Sequence, residues 1–293
     1  MIIIDGKKIS QNIRTEISQD IIRIKSIYNV SPKLIAVLIG DDPASEIYVR
    51  NKKRSAIEIG IDAEVINLPA STTEETLLNL LDQLNNDQSV HGILVQLPLP
   101  DHIDEDVIIQ SISFAKDVDG LHPVNLGKLM IGNPYLIPAT PSGVQQLLIR
   151  NNIAIEGKHI VICGRSNIVG KPLANILLQR DVHANATVSI CHSKTPNLID
   201  FTLRADILIA AIGQPNFIKS DMVKDGVVII DVGTNRVESN LTKSGYKLVG
   251  DVEFDTVSSK ASAITPVPGG VGPMTIAMLL KNTALACESI LKK

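Results

Sequence analysis

The chain contains no tryptophan, and Phe and Tyr supply four residues each. Base-stacking platforms of the kind that bind single-stranded nucleic acid therefore lack their material, and Ile, Leu and Val must build the core. Cysteine is also scarce. Cys163, Cys191 and Cys287 form no C-x-x-C pair, so each reads as a buried structural thiol in a reducing compartment. The six His residues show no ligand spacing such as H-E-x-x-H, and no protein-bound metal is expected. The net charge of −3 provides no basic field for nucleic acid. No stretch reads as the ~20 apolar residues of a membrane span, and the opening Met1–Gly6 is too short an apolar run for a signal peptide. These absences predict a cytoplasmic protein with a small-molecule partner, no nucleic acid and no membrane.

What is present points to a soluble globular α/β chain of 293 residues, long enough for two domains. Buried strands are expected at 34–39, 63–68 and 92–97, separated by helices over 45–59 and 73–85. Gly60 stops the first helix, and Ser71 or Thr72 starts the second. Unbroken apolar strands alternating with helices imply a parallel sheet covered on both faces. A loop-rich stretch, 116–141, is followed by a helix opened by Thr140-Pro141-Ser142 and ending near Asn151. Further strands are expected at 159–163, 187–191, 207–211 and 227–231. A rigid Pro/Gly loop, Ile264–Pro273, leads into a last helix over 274–291.

The stretch Gly164-Arg165-Ser166-Asn167-Ile168-Val169-Gly170-Lys171-Pro172 follows one of these strands and precedes a helical pattern. A strand, a glycine turn and a helix N-terminus in that order can hold a phosphate, because backbone N–H groups and the helix dipole face the anion. Pro172 suits a first helical position. Ser166 stands where the second glycine of G-x-G-x-x-G would be, and an ordinary strand-to-helix turn is the plainer alternative. The next strand ends Cys191-His192-Ser193-Lys194, without the acidic residue that bonds the ribose 2′-OH in NAD sites. A hydroxyl and a cation there, with Arg165 in the turn, suit a 2′-phosphate and favour NADP.

Three other places carry chemistry. Tyr48 and Lys52 lie four apart and share a helix face; a lysine among apolar neighbours can titrate in a catalytic range, although a solvated face is the plain reading. Gln96 ends a strand ahead of Pro98 and Pro100, where open α/β sheets bind ligands. Lys116-Asp117-Val118-Asp119-Gly120 is either a simple turn or a pair of carboxylates for the amino-imino edge of a heterocycle.

Taken in order, Tyr-x-x-x-Lys, Gly-Ile-Leu-Val-Gln-Leu-Pro-Leu-Pro, Lys-Asp-Val-Asp-Gly, Pro-x-Thr-Pro, Gly-Arg-Ser-x-Ile-Val-Gly-x-Pro and Thr-Pro-Val-Pro-Gly-Gly-Val-Gly-Pro-Met-Thr resemble the bifunctional methylenetetrahydrofolate dehydrogenase/methenyltetrahydrofolate cyclohydrolase family over almost the whole chain. The resemblance implies two α/β domains with a cleft between them, the second a Rossmann-like NADP-binding domain. The folate domain would be 1–140 with the C-terminal helix 272–293 packed back on it, and the NADP domain 141–271. It implies catalytic roles for Lys52, Gln96 and Asp119, with Lys52 moving protons, Gln96 tuning it and Asp119 gripping the pterin. Substrate contacts are implied at Tyr48, Val95, Leu97, Pro268, Gly269, Gly270, Val271 and Gly272. Cofactor contacts are implied at Gly164, Arg165, Ser166, Ser193 and Thr234. Tetrahydrofolate derivatives are the expected partners of a homodimer. The product would feed purine and formyl-methionyl-tRNA synthesis. Two positions depart from the pattern: Ala139 replaces a common cysteine, and Thr234 replaces a usual Ile. A shikimate-dehydrogenase-like NADP oxidoreductase, or a non-catalytic nucleotide-binding regulator, are the rival readings.

Overall fold

The computed structural model describes residues 1–239, 242 and 245–292. In chain order the elements are β1 Ile2–Ile3, α1 Gly6–Tyr28, β2 Lys33–Ile39, α2 Pro43–Glu58, β3 Asp62–Leu68, α3 Glu74–Asn86, β4 Gly92–Val95, α4 Glu105–Ser111, α5 Pro123–Met130 and α6 Ala139–Arg150. They continue with β5 His159–Cys163, α7 Gly170–Leu177, β6 Thr187–Cys191, α8 Leu198–Thr202, β7 Ile207–Ala210, β8 Val228–Asp231, β9 Asn235–Glu238, β10 Tyr246–Val249, α9 Phe254–Val257, β11 Ala263–Ile264 and α10 Val271–Leu291. Two compact units result. One comprises 11–139 and 276–293, the other 1–10 and 140–275.

The first unit is built on a three-stranded parallel sheet ordered β3-β2-β4. Ile35, Val37 and Ile39 of β2 and Ile93 and Val95 of β4 form a buried cluster with Leu77, Leu81 and Leu84 of α3 and Ile108 of α4. The three leucines are spaced for one face of a helix. Helix α2 begins at Pro43 rather than Ser45, because the Asp42 carboxylate caps it by accepting from the Ser45 N–H at 2.8 Å. Thr73 caps α3, one residue beyond the two expected starters. The strand expected over 92–97 ends at Val95, where the chain turns through Gln96 and a cis Leu97–Pro98 bond. The stretch 116–141 is not all loop. It holds α5, with Pro123 in its first turn and the His122 ring accepting from the Val124 N–H at 3.0 Å.

The second unit is built on a six-stranded parallel sheet ordered β1-β11-β8-β7-β5-β6. Strands β5 and β6 have the expected bounds, and the chain crosses to opposite sides of β5 after β6, which is the topology of a doubly wound nucleotide-binding sheet. Residues 1–10, read from the sequence with the first domain, cluster with this sheet instead. The physical reason is that Ile2 and Ile3 pair with Ala263 and Ile264, and the Ile4 N–H donates to the Ile264 carbonyl at 2.9 Å. The three cysteines are free and buried, and burial pushes the Cys163 and Cys287 thiols up to about 12.

Helix α10 corrects one expectation. By length and composition alone it is long and apolar enough to cross a membrane, although Lys281, Asn282 and Glu288 interrupt its apolar residues. Much of it is buried against protein, including the polar Asn282 and Thr283.

Candidate active site

In the three-stranded unit, β2 delivers the chain to α2, and Lys52 lies on the face of α2 that is buried. Strand β4 delivers Gln96 beside it, with the Gln96 N–H bonded to the Val37 carbonyl of β2 at 2.9 Å. The Lys52 Nζ donates to Gln96 Oε1 at 3.0 Å, and Gln96 Nε2 donates to the Leu97 carbonyl at 2.6 Å. The second bond orients the amide so that its oxygen faces the lysine.

The Lys116–Gly120 segment runs beside β4, with the Ile93 N–H donating to the Lys116 carbonyl at 2.7 Å and a parallel bridge between Ile93 and Asp117. Asp119 therefore emerges near the end of β4, where it faces Lys52 electrostatically. Burial lowers the Lys52 ammonium below the ordinary lysine value, and Asp119 opposes that shift. Burial likewise raises the Asp119 carboxyl, and Lys52 opposes it. Each group holds the other's charge in a low-dielectric place. The structure thus brings Lys52, Gln96 and Asp119 together. Tyr48 lies one turn before Lys52 on α2 and is partly exposed, Val95 is buried and Leu97 half-buried.

The neighbouring acidic residue behaves differently. Asp117 is buried and accepts from the Gly120 N–H at 3.1 Å, the His122 N–H at 2.8 Å and Asn125 Nδ2 at 2.9 Å. It shapes the turn that carries Asp119. Lys116 is also committed: its Nζ donates to the carbonyls of Leu84, Asn85 and Asp87 at the end of α3. Sequence reading left the Lys116 role unassigned because its partners lie about 30 residues upstream.

In the six-stranded unit, the glycine turn follows β5. Gly164 has φ +140°, and a Cβ there would meet the Ala211 carbonyl oxygen at 2.2 Å. A Cβ on Gly170 would meet the Gly164 carbonyl oxygen at 2.1 Å. Only glycine lets strand, turn and helix pack this closely. Helix α7 starts at Gly170, so Pro172 is its third residue, not its first; an N–H there is one of the four that no helix bonds internally. Ser166 turns its hydroxyl inward to accept from the Val169 N–H at 3.1 Å, closing the turn where a second glycine was absent.

Arg165 and Ser193 each lie two residues past strand ends that are register partners, Cys163 and Cys191, and the Gly164 N–H donates to the Cys191 carbonyl at 2.9 Å. Both side chains are exposed, as is Thr234 beyond β8. Guanidinium and hydroxyl groups with no acid among them, at the carboxyl edge of a doubly wound sheet, fit a dinucleotide carrying an extra phosphate. Pro268–Gly272 follow β11, behind a cis Val267–Pro268 bond. Among the described residues no group of three or more His, Cys, Asp or Glu is placed to hold a metal ion.

Two residues outside the expected set shape this edge. The Asp251 carboxylate accepts from the Ile212, Gly213 and Gln214 N–H groups and from Asn235 Nδ2, at 2.6–3.0 Å. Asp231 accepts from the Gly233, Asp251 and Val252 N–H groups. Together they fix the turns after β7 and β8. The sequence signal was slight: Asp251 follows Gly250, and Asp231 precedes Gly233 by two residues.

Comparison with known proteins identifies the family. The family model for the tetrahydrofolate dehydrogenase/cyclohydrolase catalytic domain matches residues 4–119, and that for the NAD(P)-binding domain matches 138–291. The bifunctional protein FolD of Chlorobium chlorochromatii is 56% identical over 292 residues, covering 99% of each chain. The crystal structure of the bifunctional FolD enzyme from Campylobacter jejuni superposes with a TM-score of 0.92 at 50% identity, covering 99% of both chains. The Trypanosoma brucei enzyme, solved with NADP and an inhibitor, gives a TM-score of 0.95 at 38% identity, covering 100% of this chain and 99% of that one. The chain belongs to the tetrahydrofolate dehydrogenase/cyclohydrolase family.

Proposed function

We infer that the Lys52–Gln96–Asp119 arrangement is the folate site of a bifunctional enzyme. The enzyme oxidises 5,10-methylenetetrahydrofolate to the 5,10-methenyl form with NADP, then hydrolyses that product to 10-formyltetrahydrofolate. The observation that carries this reading is a buried lysine held by an amide oxygen and faced by a carboxylate, in a chain of this family. Its partners are tetrahydrofolate derivatives.

Asp119 is the anchor for the pterin, because a carboxylate facing an amino group and a ring N–H makes a paired, charge-assisted contact. Tyr48, Val95 and Leu97 are its substrate contacts on α2 and at the end of β4, and Pro268, Gly269 and Gly270, with Val271 and Gly272 in the first turn of α10, are the further substrate contacts of this reading. With Asp119 holding the ring, positioning supplies much of the first step. NADP, when bound, accepts the hydride. Gly164 and Ser166 hold its pyrophosphate, Arg165 and Ser193 its 2′-phosphate, and Thr234 lies toward the nicotinamide.

The second step adds water to a cationic methenyl bridge. Its product needs a proton relay close to neutral pH, and a lysine lowered by burial provides one. Gln96 Oε1 holds the Nζ in place and keeps a proton directed away from the bridge. The same lysine and aspartate serve both steps, so both activities share one folate position.

The domains follow the same reading: the three-stranded unit binds folate and the six-stranded unit binds NADP. A cytoplasmic homodimer that binds neither nucleic acid nor membrane completes it, with the oligomeric state open to light scattering. Mixing the purified protein with methylenetetrahydrofolate and NADP tests the activity. NADPH and a transient methenyl absorbance are expected. Turnover of shikimate instead, or of neither substrate, would overturn the reading in favour of a related oxidoreductase or a regulator.

A further inference from the structure

Asp119 sits inside the turn Asp117–Gly120, which the Asp117 carboxylate holds from one side by accepting from the Gly120 and His122 N–H groups. The turn's other side is held from far away in the chain. Asn282, on α10 and 4% exposed, donates both hydrogens of its amide nitrogen. One goes to the Val118 carbonyl and the other to the Ile137 carbonyl, each at 2.8 Å. Val118 immediately precedes Asp119. Ile137 belongs to the strand of chain running alongside, where the Ala139 N–H returns a bond to the Asp119 carbonyl at 3.1 Å. A Cβ on Gly120 would lie 2.6 Å from Pro138 N, so the two segments are pressed together just past Asp119. Asn282 thus ties the peptide before Asp119 to the segment that brackets the peptide after it.

We propose that Asn282 is a positioning residue for Asp119, through which the C-terminal helix sets the affinity and proton balance of the folate site. This rests on the reading of Asp119 as the pterin anchor. A side-chain amide suits the task because its two N–H groups diverge at a fixed angle and can satisfy two carbonyls at once. The buried Asn282 also has a reason to be on this helix: its amide meets the Val118 and Ile137 carbonyl groups. The groups whose balance it would set are Lys52, which faces Asp119 from α2, and Asp117, two residues away in the same turn.

The test compares Asn282→Leu, close in size but without donors, with Cys287→Ala, a buried change on the same helix that serves as the stability control. Steady-state kinetics would be measured for both folate substrates and for NADP, with the cyclohydrolase rate followed across pH. Two carbonyls losing their donors should raise KM for both folates about tenfold, displace the cyclohydrolase pH profile and leave the KM for NADP at wild type. Cys287→Ala should lower Tm without either change. If Asn282→Leu fails to fold, Asn282→Ser, whose hydroxyl serves only one carbonyl, should show smaller changes of the same kind. Wild-type KM values and pH profile in the folded variant, or an equal rise in KM for NADP, would make Asn282 a purely structural anchor and overturn the proposal. Asp119→Ala in the same experiment separates the two levels: if it leaves folate KM untouched, the pterin reading itself has failed.

Discussion

Replacing Lys52 with Met removes the charge and the donor while keeping most of the stem's volume, so packing around α2 should survive. Three consequences follow from the geometry. Gln96 Oε1 loses the donor that reaches it at 3.0 Å, and an abandoned buried acceptor costs about 1–3 kcal/mol. Asp119 loses the cation that opposes the effect of its burial, so its carboxyl is pushed further up, which weakens its grip on the pterin. The proton relay for hydrolysis also disappears. General acid–base assistance contributes about 10²–10⁴-fold, equivalent to roughly 3–5 kcal/mol of barrier. Lys52→Met should therefore lose at least about a hundredfold in cyclohydrolase rate. Hydride transfer depends on positioning and should fall less, through weaker folate binding. NADP affinity should remain close to wild type, because the candidate cofactor residues all lie in the other unit. The assay is the decay of methenyl absorbance above the buffer rate, alongside an NADP titration and a melting curve. Lys52→Arg, which keeps a charge but titrates out of range, should also lose hydrolysis. A folded Lys52→Met variant hydrolysing the methenyl substrate at the wild-type rate would refute the assignment.

Other outcomes are equally specific. Arg165→Ala should weaken NADP by about 1.5–3 kcal/mol, the cost of a lost charge-assisted contact, and NAD far less; equal losses in parallel titrations would place Arg165 away from the 2′-phosphate. Asp119→Ala should damage both activities together with little effect on NADP affinity. Asp117→Ala should act mainly on stability, since its three bonds hold a turn, and a larger kinetic defect in Asp117→Ala would exchange the two roles. Gly170→Ala, whose Cβ would meet the Gly164 carbonyl oxygen at 2.1 Å, should cost about 2 kcal/mol or more in denaturant titration and lower NADP affinity. Burial holds the Asp231 carboxyl up to about 7, against 3.8 for an ordinary aspartate. The folded state keeps that proton after the unfolded chain has released it, so this group's contribution to stability falls as pH rises from about 4 to about 7; Asp231→Asn should flatten that part of a stability-versus-pH curve, and an unchanged slope would show that another group titrates there.

Local patterns carried the fold a long way. Strands β5 and β6 are short runs rich in Ile and Val and ended by a turn, and their limits could be read directly. The glycine turn was legible because close backbone approach leaves no alternative to glycine at 164 and 170. Other features were visible but went unread. Helix α1 carries Ile9, Ile13, Ile17, Ile21 and Ile24, all buried on one face. Long-range features left no local trace: β1 and β11 are two residues each and exist only through their pairing, and Asn282 meets Val118 from 164 residues along the chain. In the candidate site, residue types and positions pointed to Lys52, Gln96 and the Asp117–Asp119 pair, and the family resemblance supplied the choice of Asp119. Their mutual geometry, with an amide flipped toward the lysine by the Leu97 carbonyl, required the fold.

The central claim is that one folate position, set by Asp119 and Lys52, serves both reactions. A crystal structure of the protein with NADP and a non-reactive 5,10-bridged folate analogue tests it most directly. The account predicts the pterin's amino and ring N–H groups on the Asp119 carboxylate and the bridging carbon within about 4 Å of the Lys52 Nζ, close enough for proton transfer directly or through one water. A folate bound with Asp119 and Lys52 both untouched would contradict it.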